Sequence, residues 1–203
     1  MVFEEIRKVL RTKTVGIAGC GGLGSNCAVA LARAGVGKMV IADFDVIVEN
    51  NLNRQYFFQD QIGLLKVFAL KSNLERINPG IKVHAFDLRL CPSDIVEIYS
   101  RCDVIVEAFD KAEMKHMIID AVSNHMPEKP LVVGVGMAGW GDNNSIHTRS
   151  SGKLVICGDE MNEVTETNPP IAPRVGIVAN MQANAVLEIL LGNNPDQKIK
   201  HDK

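Results

Sequence analysis

The residues best suited to chemistry begin with a glycine-rich stretch, GCGGLG, at positions 19–24. Its glycines are Gly19, Gly21, Gly22 and Gly24. A turn of this kind between a strand and a helix lets the backbone approach a phosphate, and the helix N-terminus offers free N–H groups. Asp43 ends the next apolar run, where a carboxylate can take the ribose hydroxyls. The pattern predicts a nucleotide site; a tight turn without a ligand is the alternative.

Polar residues crowd the segment that follows Asp43. They are Asp45, then Asn51, Arg54 and Gln55 of the stretch NLNRQ, and Lys66, which lies three residues after Gly63. Arginine offers phosphate a rigid bidentate fork, and lysine offers a point charge. These cations suit a nucleotide whose triphosphate reacts, whereas a nicotinamide enzyme needs them for little beyond the pyrophosphate. The alternative is that they are ordinary solvated surface charges.

A further acid, Asp110, follows the apolar run DVIVEAF at 103–109. The carboxyl ends of strands are where open α/β sheets bind ligands. A carboxylate that faces polyphosphate would repel it unless Mg²⁺ lies between them, so Asp110 is a candidate magnesium ligand. The alternative is that Asp110 caps the helix predicted at 111–124.

Apolar runs and amphipathic stretches alternate along the chain. Strands are predicted at 14–19, 38–43, 81–86, 103–109 and 130–136, with a further strand at 153–157. Helices are predicted at 23–35, 64–77, from Pro92, at 111–124 and at 173–191. The alternation predicts an α/β fold with a Rossmann-like, mostly parallel sheet and helices on both faces.

The segment 137–173 breaks this alternation. It is rich in glycine and polar residues, which predicts a long flexible crossover loop of the kind that is often functional. Trp140 either anchors this loop or contacts a partner protein. The closing helix at 173–191 is apolar around most of its girth, so the core or a partner subunit must cover it. Without a linker or repeat, residues 1–203 are predicted to form a single domain.

Composition excludes several classes of function. The formal net charge of −2 gives no electrostatic case for a nucleic-acid partner. No apolar stretch approaches the roughly 20 residues of a membrane span, and the N-terminus does not resemble a secretory signal, so we expect a cytoplasmic location. The five cysteines are odd in number and form no CxxC pair. We therefore expect neither a disulfide framework nor a zinc site.

Together, the motifs GCGGLG, DFD, NLNRQ and GxxK and the strand-end Asp110 resemble the family of enzymes that activate ubiquitin-like and sulfur-carrier proteins. ThiF, MoeB and the ubiquitin-activating enzymes belong to this family. The NLNRQ block is far more specific than the glycine motif. The closing stretch APRVGIVANMQANAVLEILLG resembles the last helix of the family. In its short length and its lack of zinc-binding cysteine pairs, the chain is most similar to the compact bacterial ThiF type.

The resemblance implies adenylation of the C-terminal glycine of a small β-grasp sulfur-carrier protein with a Gly-Gly tail, by Mg-ATP, in thiamine biosynthesis. It also implies a homodimer, in which an N-terminal arginine, here Arg7 or Arg11, reaches the neighbouring site. Gly21, Gly22 and Gly24 would line the phosphates, Asp43 the ribose, and Asn51, Arg54, Gln55 and Lys66 the triphosphate, while Asp110 would hold Mg²⁺. Gly19 and Asp45 complete the nucleotide site, and Arg54, Lys66 and Asp110 are the expected catalytic residues.

This chemistry needs no general base, because a C-terminal carboxylate with a pKa of about 3.3–3.7 is already ionised at pH 7. The task is to position the reactants and to cancel charge on the phosphates. Relatives that form a thioester use a cysteine before the last helix, and residues 158–173 contain none. Cys157 is the nearest candidate, and we interpret it as a core residue. We expect adenylation without a covalent protein–protein intermediate.

Other functions remain open at this stage. A relative of the family could act on a carrier of the molybdopterin or cysteine pathway, or on a modified tRNA base, although the charge disfavours tRNA. A nucleotide-binding scaffold without chemistry is another possibility, which Arg54, Lys66 and Asp110 disfavour. An NAD-dependent dehydrogenase is the fourth, but about 70 residues after the sheet leave little room for a substrate domain.

Overall fold

The computed structural model describes residues 1–192 and has one seven-stranded sheet. The strands are β1 (Thr14–Ala18), β2 (Lys38–Asp43), β3 (Lys82–Asp87), β4 (Val104–Glu107), β5 (Leu131–Val135), β6 (His147–Ser151) and β7 (Leu154–Gly158). The helices are α1 (Phe3–Leu10), α2 (Gly22–Ala34), α3 (Lys66–Ile77), α4 (Pro92–Tyr99), α5 (Ala112–His125) and α6 (Ala172–Leu191). The predicted α/β class is confirmed. Residues 193–203, at the end of the predicted single domain, lie outside the described residues.

The strand order is β3-β2-β1-β4-β5-β7-β6, and every neighbouring pair is parallel except β6 with β7. The order reverses between β1 and β4, because the chain leaves β3 at one edge and returns beside β1. Such a switch point opens a crevice at the carboxyl ends of the strands.

Two apolar layers cover the sheet. Side chains from α2, α3 and α6 pack on one face, and those from α4 and α5 pack on the other. The central strands are buried on both faces, which explains their continuous apolar runs. Gly16 of β1 leaves room for the ring of Tyr99, whose hydroxyl donates to the carbonyl of Ile17 at 3.0 Å. The core therefore fixes the strand ends that surround the crevice.

Two elements were not predicted. The charged N-terminal segment, residues 1–13 (the leader), forms α1, which buries Leu10. The Glu5 carboxylate accepts the N–H of Val2 at 3.0 Å and caps this helix. The segment 137–173 contains β6, paired with β7 in a hairpin at the sheet edge. Every side chain of β6 is exposed, so this strand carries no apolar alternation. The flexibility of the rest of that segment stays a prediction.

The closing helix α6 begins and ends within one residue of its prediction. It packs against α2 and the sheet, and nine of its side chains are buried. Its other face, which includes Ile177 and Met181, lines an open groove of about 760 Å³. None of the helices in residues 1–192 is long and apolar enough to cross a membrane.

Candidate nucleotide-binding site

A cavity of about 610 Å³ lies at the carboxyl ends of the central strands, at the switch point of the sheet. It brings together most of the residues singled out by the sequence. From the glycine turn it is lined by Gly19, Gly21 and Gly22. Its polar side chains include Asp43, Asp45, Arg54, Gln55, Lys66 and Asp110. Such a crevice is the expected place for a ligand in an open α/β sheet.

The glycines of the turn have two different tasks. Gly19 has a φ of +96°, and a Cβ there would lie 2.8 Å from the carbonyl oxygen of Ala108. Gly21 is the N-cap of α2 and Gly22 its first residue, so the free N–H groups of the helix point out of this turn. Gly24 does not line the cavity; a Cβ there would overlap the carbonyl oxygen of Gly19. Gly24 therefore permits close packing of the helix, and its contact with phosphate stays a prediction.

Asp43 ties the end of β2 to the glycine turn. Its Oδ2 accepts the N–H of Cys20 at 2.6 Å, and its Oδ1 accepts the N–H of Asp45 at 2.8 Å. Burial raises the pKa of this carboxyl group, and the two backbone N–H groups oppose the rise. The carboxylate is thus held rigidly in the cavity wall, and each oxygen retains a lone pair for another donor.

Lys66, the first residue of α3, has a buried side chain that reaches Asp45. Its Nζ lies 2.7 Å from Asp45 Oδ2, and its backbone N–H donates to the carbonyl of Asp45 at 2.9 Å. The Asp45 carboxylate is half exposed. The pair therefore fixes the ammonium group at the cavity wall.

Arg54 is held above the glycine turn by its own loop. Its Nη1 donates to Asn53 Oδ1 at 2.7 Å and to the carbonyl of Asn50 at 3.1 Å. The side-chain amide of Asn26 donates to the carbonyls of Gly22 and Arg54 at 2.7 and 2.9 Å, which locks the loop onto α2. The remaining guanidinium N–H groups are available to an anion.

Gln55 lies beside Gly21 in the cavity wall. It is 8% exposed, and its Oε1 is buried without a hydrogen-bond partner among residues 1–192. A buried amide oxygen of this kind usually has a donor, so a bound group or a water molecule is needed to satisfy it.

Asn51 does not line the cavity. Its Oδ1 accepts the N–H of Val48 at 3.1 Å and caps the short 3-10 turn over Glu49–Asn51. The structure gives Asn51 a local role in shaping the loop that carries Arg54 and Gln55, and its contact with a triphosphate stays a prediction.

Asp110 is exposed at the end of the loop that follows β4, and it forms no ion pair within residues 1–192. It does not cap α5: the N-cap is Lys111, and no side chain caps that helix. The described residues contain no group of three or more acids, cysteines or histidines able to hold a metal. Mg²⁺ is commonly bound by one or two carboxylates together with substrate phosphates, so the free carboxylate of Asp110 fits that ion.

Apart from the position of Phe44, nothing in the sequence indicates the apolar side of the cavity. It is lined by Phe44, Leu88, Leu90, Phe109 and Met114. The guanidinium of Arg89 lies 5.6 Å from the centre of the Phe44 ring. These side chains suit a flat aromatic group such as a nucleobase. Phe44 lies between two residues already singled out, which was the one available signal.

Sequence analysis also did not predict a buried ion pair that lies beneath the cavity. Glu107, the last residue of β4, is fully buried, and both its oxygens lie 2.9 Å from Lys115 Nζ. Its Oε1 also accepts the N–H of Phe109 at 2.6 Å, and Lys115 donates to the carbonyl of Gly134 at 2.8 Å. The pair supports the loop that ends at Asp110.

The two leader arginines lie away from the cavity of their own chain. Arg7 packs against Gly35 at the far end of α2, about 20 Å from the glycine turn at a rise of 1.5 Å per residue. Arg11 contacts Gly37, which precedes β2. Both therefore lie at the edge of the sheet where the strands begin.

Cys157 is a buried residue of β7 that accepts the hydroxyl of Thr148 at 3.8 Å. Burial raises the pKa of its thiol. A nucleophilic cysteine needs an accessible thiolate. The structure favours a packing role for Cys157.

Comparison with known proteins decides the family. Residues 1–201 match the ThiF family. The chain belongs to the ThiF family. The molybdopterin-synthase adenylyltransferase of Haemophilus influenzae is 30% identical over 198 residues, which cover 93% of this chain and 79% of that protein. The adenylyltransferase and sulfurtransferase UBA4 of Eremothecium gossypii is 32% identical over 184 residues, which cover 90% of this chain and 39% of that one.

This ThiF-family chain thus spans about two fifths of the length of UBA4. Its fold is similar to that of the E. coli tRNA N6-threonylcarbamoyladenosine dehydratase TcdA, solved in complex with AMP. The TM-score is 0.83 at 21% identity, covering 93% of this chain and 89% of that chain. A complex of the same E. coli protein with ATP gives a TM-score of 0.81 at 21% identity, covering 98% and 92%. These structures support the fold.

Proposed function

We propose that this protein adenylates the C-terminal glycine of a small β-grasp sulfur-carrier protein, with ATP as the second substrate. The single observation that carries the proposal is the cavity at the switch point, which sets Arg54, Lys66 and Asp110 around the glycine turn. The adenylyltransferases among the relatives support it, as do the AMP and ATP complexes of the structural neighbour.

The cavity divides into parts that match ATP. The adenine base fits the apolar side at Phe44, and the ribose hydroxyls fit the rigid carboxylate of Asp43. The phosphates fit the glycine turn, where the N–H groups of α2 and the Gln55 amide are available. Arg54 and Lys66 then supply positive charge to the β- and γ-phosphates.

In the reaction, an oxygen of the carrier carboxylate attacks the α-phosphorus, and the bond from the α-phosphorus to the bridging oxygen breaks. Pyrophosphate leaves with that electron pair, so no proton has to be moved from the nucleophile. Arg54 and Lys66 stabilise the negative charge that grows on the leaving pyrophosphate. Asp110 would hold Mg²⁺, which supplies further charge neutralisation at the phosphates when bound.

We propose a homodimer as the functional unit. A group of apolar side chains on the loop and turn beside Lys66 is exposed in the single chain: Val46, Val48, Ile62 and Leu64. Exposed apolar groups of this kind commonly mark an interface, and most soluble homo-oligomers are two-fold symmetric. A partner subunit would also bring Arg7 or Arg11 to a neighbouring site, since both lie where the strands of their own sheet begin and away from their own cavity. Sedimentation equilibrium tests the dimer.

The carrier in thiamine biosynthesis is the partner that the compact ThiF resemblance implies. A molybdopterin carrier is the second candidate, and the 30% identity to the molybdopterin-synthase enzyme favours it. A modified tRNA base is disfavoured, because the net charge of −2 offers little attraction to RNA phosphates.

ATP–pyrophosphate exchange tests the function. The full chain is incubated with ATP, labelled pyrophosphate and one purified β-grasp carrier of each pathway. We expect exchange only with a carrier whose Gly-Gly tail is intact, and the matched control is the same carrier without its last glycine. Bound ATP without exchange for any carrier would support the scaffold interpretation instead. Exchange with the molybdopterin carrier alone would replace the thiamine assignment.

A further inference from the structure

A buried ion pair joins the segment after β7 to the first turn of α6. Arg174 Nη2 donates to Asp159 Oδ2, and the two side chains are 3% and 1% exposed. Arg174 also donates from Nη1 to the carbonyl of Gly141 at 2.6 Å and from Nε to the carbonyl of Gly136 at 3.3 Å. One guanidinium therefore links the end of β5, the loop before β6 and the segment after β7.

Both carboxylate oxygens of Asp159 accept two hydrogen bonds each. Its Oδ1 accepts the N–H groups of Met161 and Asn162 at 2.9 Å each, and its Oδ2 accepts the Asn162 amide as well as Arg174. Burial raises the pKa of Asp159, but the hydrogen bonds from Asn162, Met161 and Arg174 outweigh burial and lower the pKa to about 2. The carboxylate is therefore charged at any working pH.

The backbone around the pair is shaped to allow this approach. Gly136 has a φ of +64°, and a Cβ there would overlap Asp159 Oδ1. Gly141 has a φ of +73°. Only glycine adopts such backbone without strain while leaving the space for a neighbour. We call Arg174, Asp159, Gly136 and Gly141 the crossover clamp.

The crossover clamp fixes one wall of the nucleotide cavity. That wall consists of Met137, from the loop after β5, and of Val164 and Pro170, from the segment after β7. The two segments meet where the N–H of Gly139 donates to the carbonyl of Pro169 at 3.0 Å. Arg174 and Asp159 do not line the cavity. They act on it only through the segments that they join.

Trp140 does not anchor this region, because it is 74% exposed. Of the two roles considered for it, contact with a partner protein remains a prediction. The loop is anchored instead at Gly141, the residue after Trp140, whose carbonyl accepts a hydrogen bond from the buried guanidinium of Arg174.

We propose that Arg174 and Asp159 are positioning residues, which hold this wall so that the carboxylate tail of the carrier meets the α-phosphate of ATP. This inference rests on the proposed adenylation. The other walls carry Asp43, Arg54, Lys66 and the apolar side around Phe44, which suit the nucleotide, so this wall is the one left for a second substrate. The rate of attack depends on the distance and angle between tail and phosphorus, and a loosened wall would therefore impair the tail more than the nucleotide.

The test uses the variant Arg174→Gln in the full chain. We expect the Kd for ATP to stay within about twofold, while kcat/KM for the carrier in pyrophosphate exchange falls by roughly 10- to 100-fold, the size of effect that a misplacement of about 1 Å can produce. Amide hydrogen exchange should accelerate in residues 137–141 and 159–171 and stay unchanged at the glycine turn. The matched control is Arg149→Gln, which removes an exposed ion pair, 2.6 Å long, between Arg149 of β6 and Glu160 in the segment after β7. Its kinetics should not change.

Two further variants keep the test decisive if Arg174→Gln does not fold. Arg174→Lys retains the positive charge but loses the planar guanidinium, so its kcat/KM for the carrier should lie between those of the unaltered protein and of Arg174→Gln. Asp159→Asn should lower kcat/KM for the carrier as much as Arg174→Gln does. Equal losses of ATP and carrier affinity, or unchanged carrier kinetics in a folded variant, would overturn the positioning role while leaving adenylation intact. Absence of exchange in the unaltered protein with every carrier would remove the proposed function, and this inference with it.

Discussion

Lys66 and Asp45 form an ion pair of 2.7 Å at the cavity wall, in which the lysine side chain is buried and the carboxylate is half exposed. The buried stem has little freedom, so the ammonium group is already placed before a nucleotide binds. A preorganised charge of this kind stabilises developing negative charge without reorganisation during the reaction. The pair therefore suits Lys66 to the role at the leaving pyrophosphate that we propose for it.

The first prediction concerns Lys66. Lys66→Met should lower kcat for pyrophosphate exchange by about 10²–10³-fold, the cost of removing one preorganised donor. The control is Lys71→Met on the same helix, because Lys71 is partly exposed, does not line the cavity and lies 3.9 Å from Glu75. Exchange kinetics of both variants provide the measurement. A similar loss in the two variants would show that Lys66 acts through the stability of α3 and not on the phosphates.

The second prediction concerns Asp110, whose exposed carboxylate has no ion-pair partner in residues 1–192. Asp110→Asn keeps the shape and removes the charge. We expect turnover to fall by on the order of 10²-fold and the Mg²⁺ concentration for half-maximal rate to rise, because the metal loses its protein ligand. Asp120→Asn, an exposed site on α5, is the control. An unchanged Mg²⁺ dependence would take Asp110 out of the magnesium site.

The residues with a strong local signal line one cavity. The glycine turn, Asp43 and Asp110 each follow a buried strand, and parallel strands bring their carboxyl ends to one edge, so topology alone unites them. Asn51 and Gly24 share the same motifs but serve the backbone of the loop and the packing of α2. A motif gives the spacing of its residues, and it does not show which of them turn towards the ligand.

What the sequence could not show depends on contacts between distant segments. Asp159 lies in a stretch without regular periodicity and Arg174 lies in the first turn of α6, and their pairing needs the left-handed backbone at Gly136. Glu107 at the end of β4 meets Lys115 of α5 at 2.9 Å, although sequence reasoning expects a charged residue at the end of a strand to be exposed to solvent. Such long-range polar pairs leave no pattern that periodicity can detect.

The third prediction concerns the nucleobase. Phe44→Ala should weaken the binding of ATP and of AMP by the same factor, about 5- to 150-fold, because stacking of a base on an aromatic ring contributes roughly 1–3 kcal/mol. The loss should spare kcat at saturating ATP. Phe68→Ala is the control, since Phe68 is equally half exposed but does not line the cavity. Calorimetric titration measures both Kd values. A loss confined to ATP would place Phe44 near the phosphates instead.

The fourth prediction concerns the buried pair of Glu107 and Lys115. Burial raises the pKa of Glu107, and Lys115 together with the N–H of Phe109 opposes that rise. In Lys115→Met the opposing charge is lost, so the pKa of Glu107 in the folded state rises further. The folded protein then holds a proton that the unfolded chain releases above about pH 4.3. The free energy of unfolding must therefore fall as the pH rises from about 4.3 to the raised pKa of Glu107 in the folded variant.

We expect Lys115→Met to lower the free energy of unfolding by about 3–5 kcal/mol at pH 7, the usual cost of an unpaired buried charge, and by clearly less at pH 5. Urea unfolding at both pH values measures the difference. The double variant Glu107→Gln/Lys115→Met is the control, because it leaves no charge to bury and should recover much of the loss at pH 7. A loss that is the same at both pH values would mean that the methionine side chain packs badly, and that the unpaired carboxylate of Glu107 is not its cause.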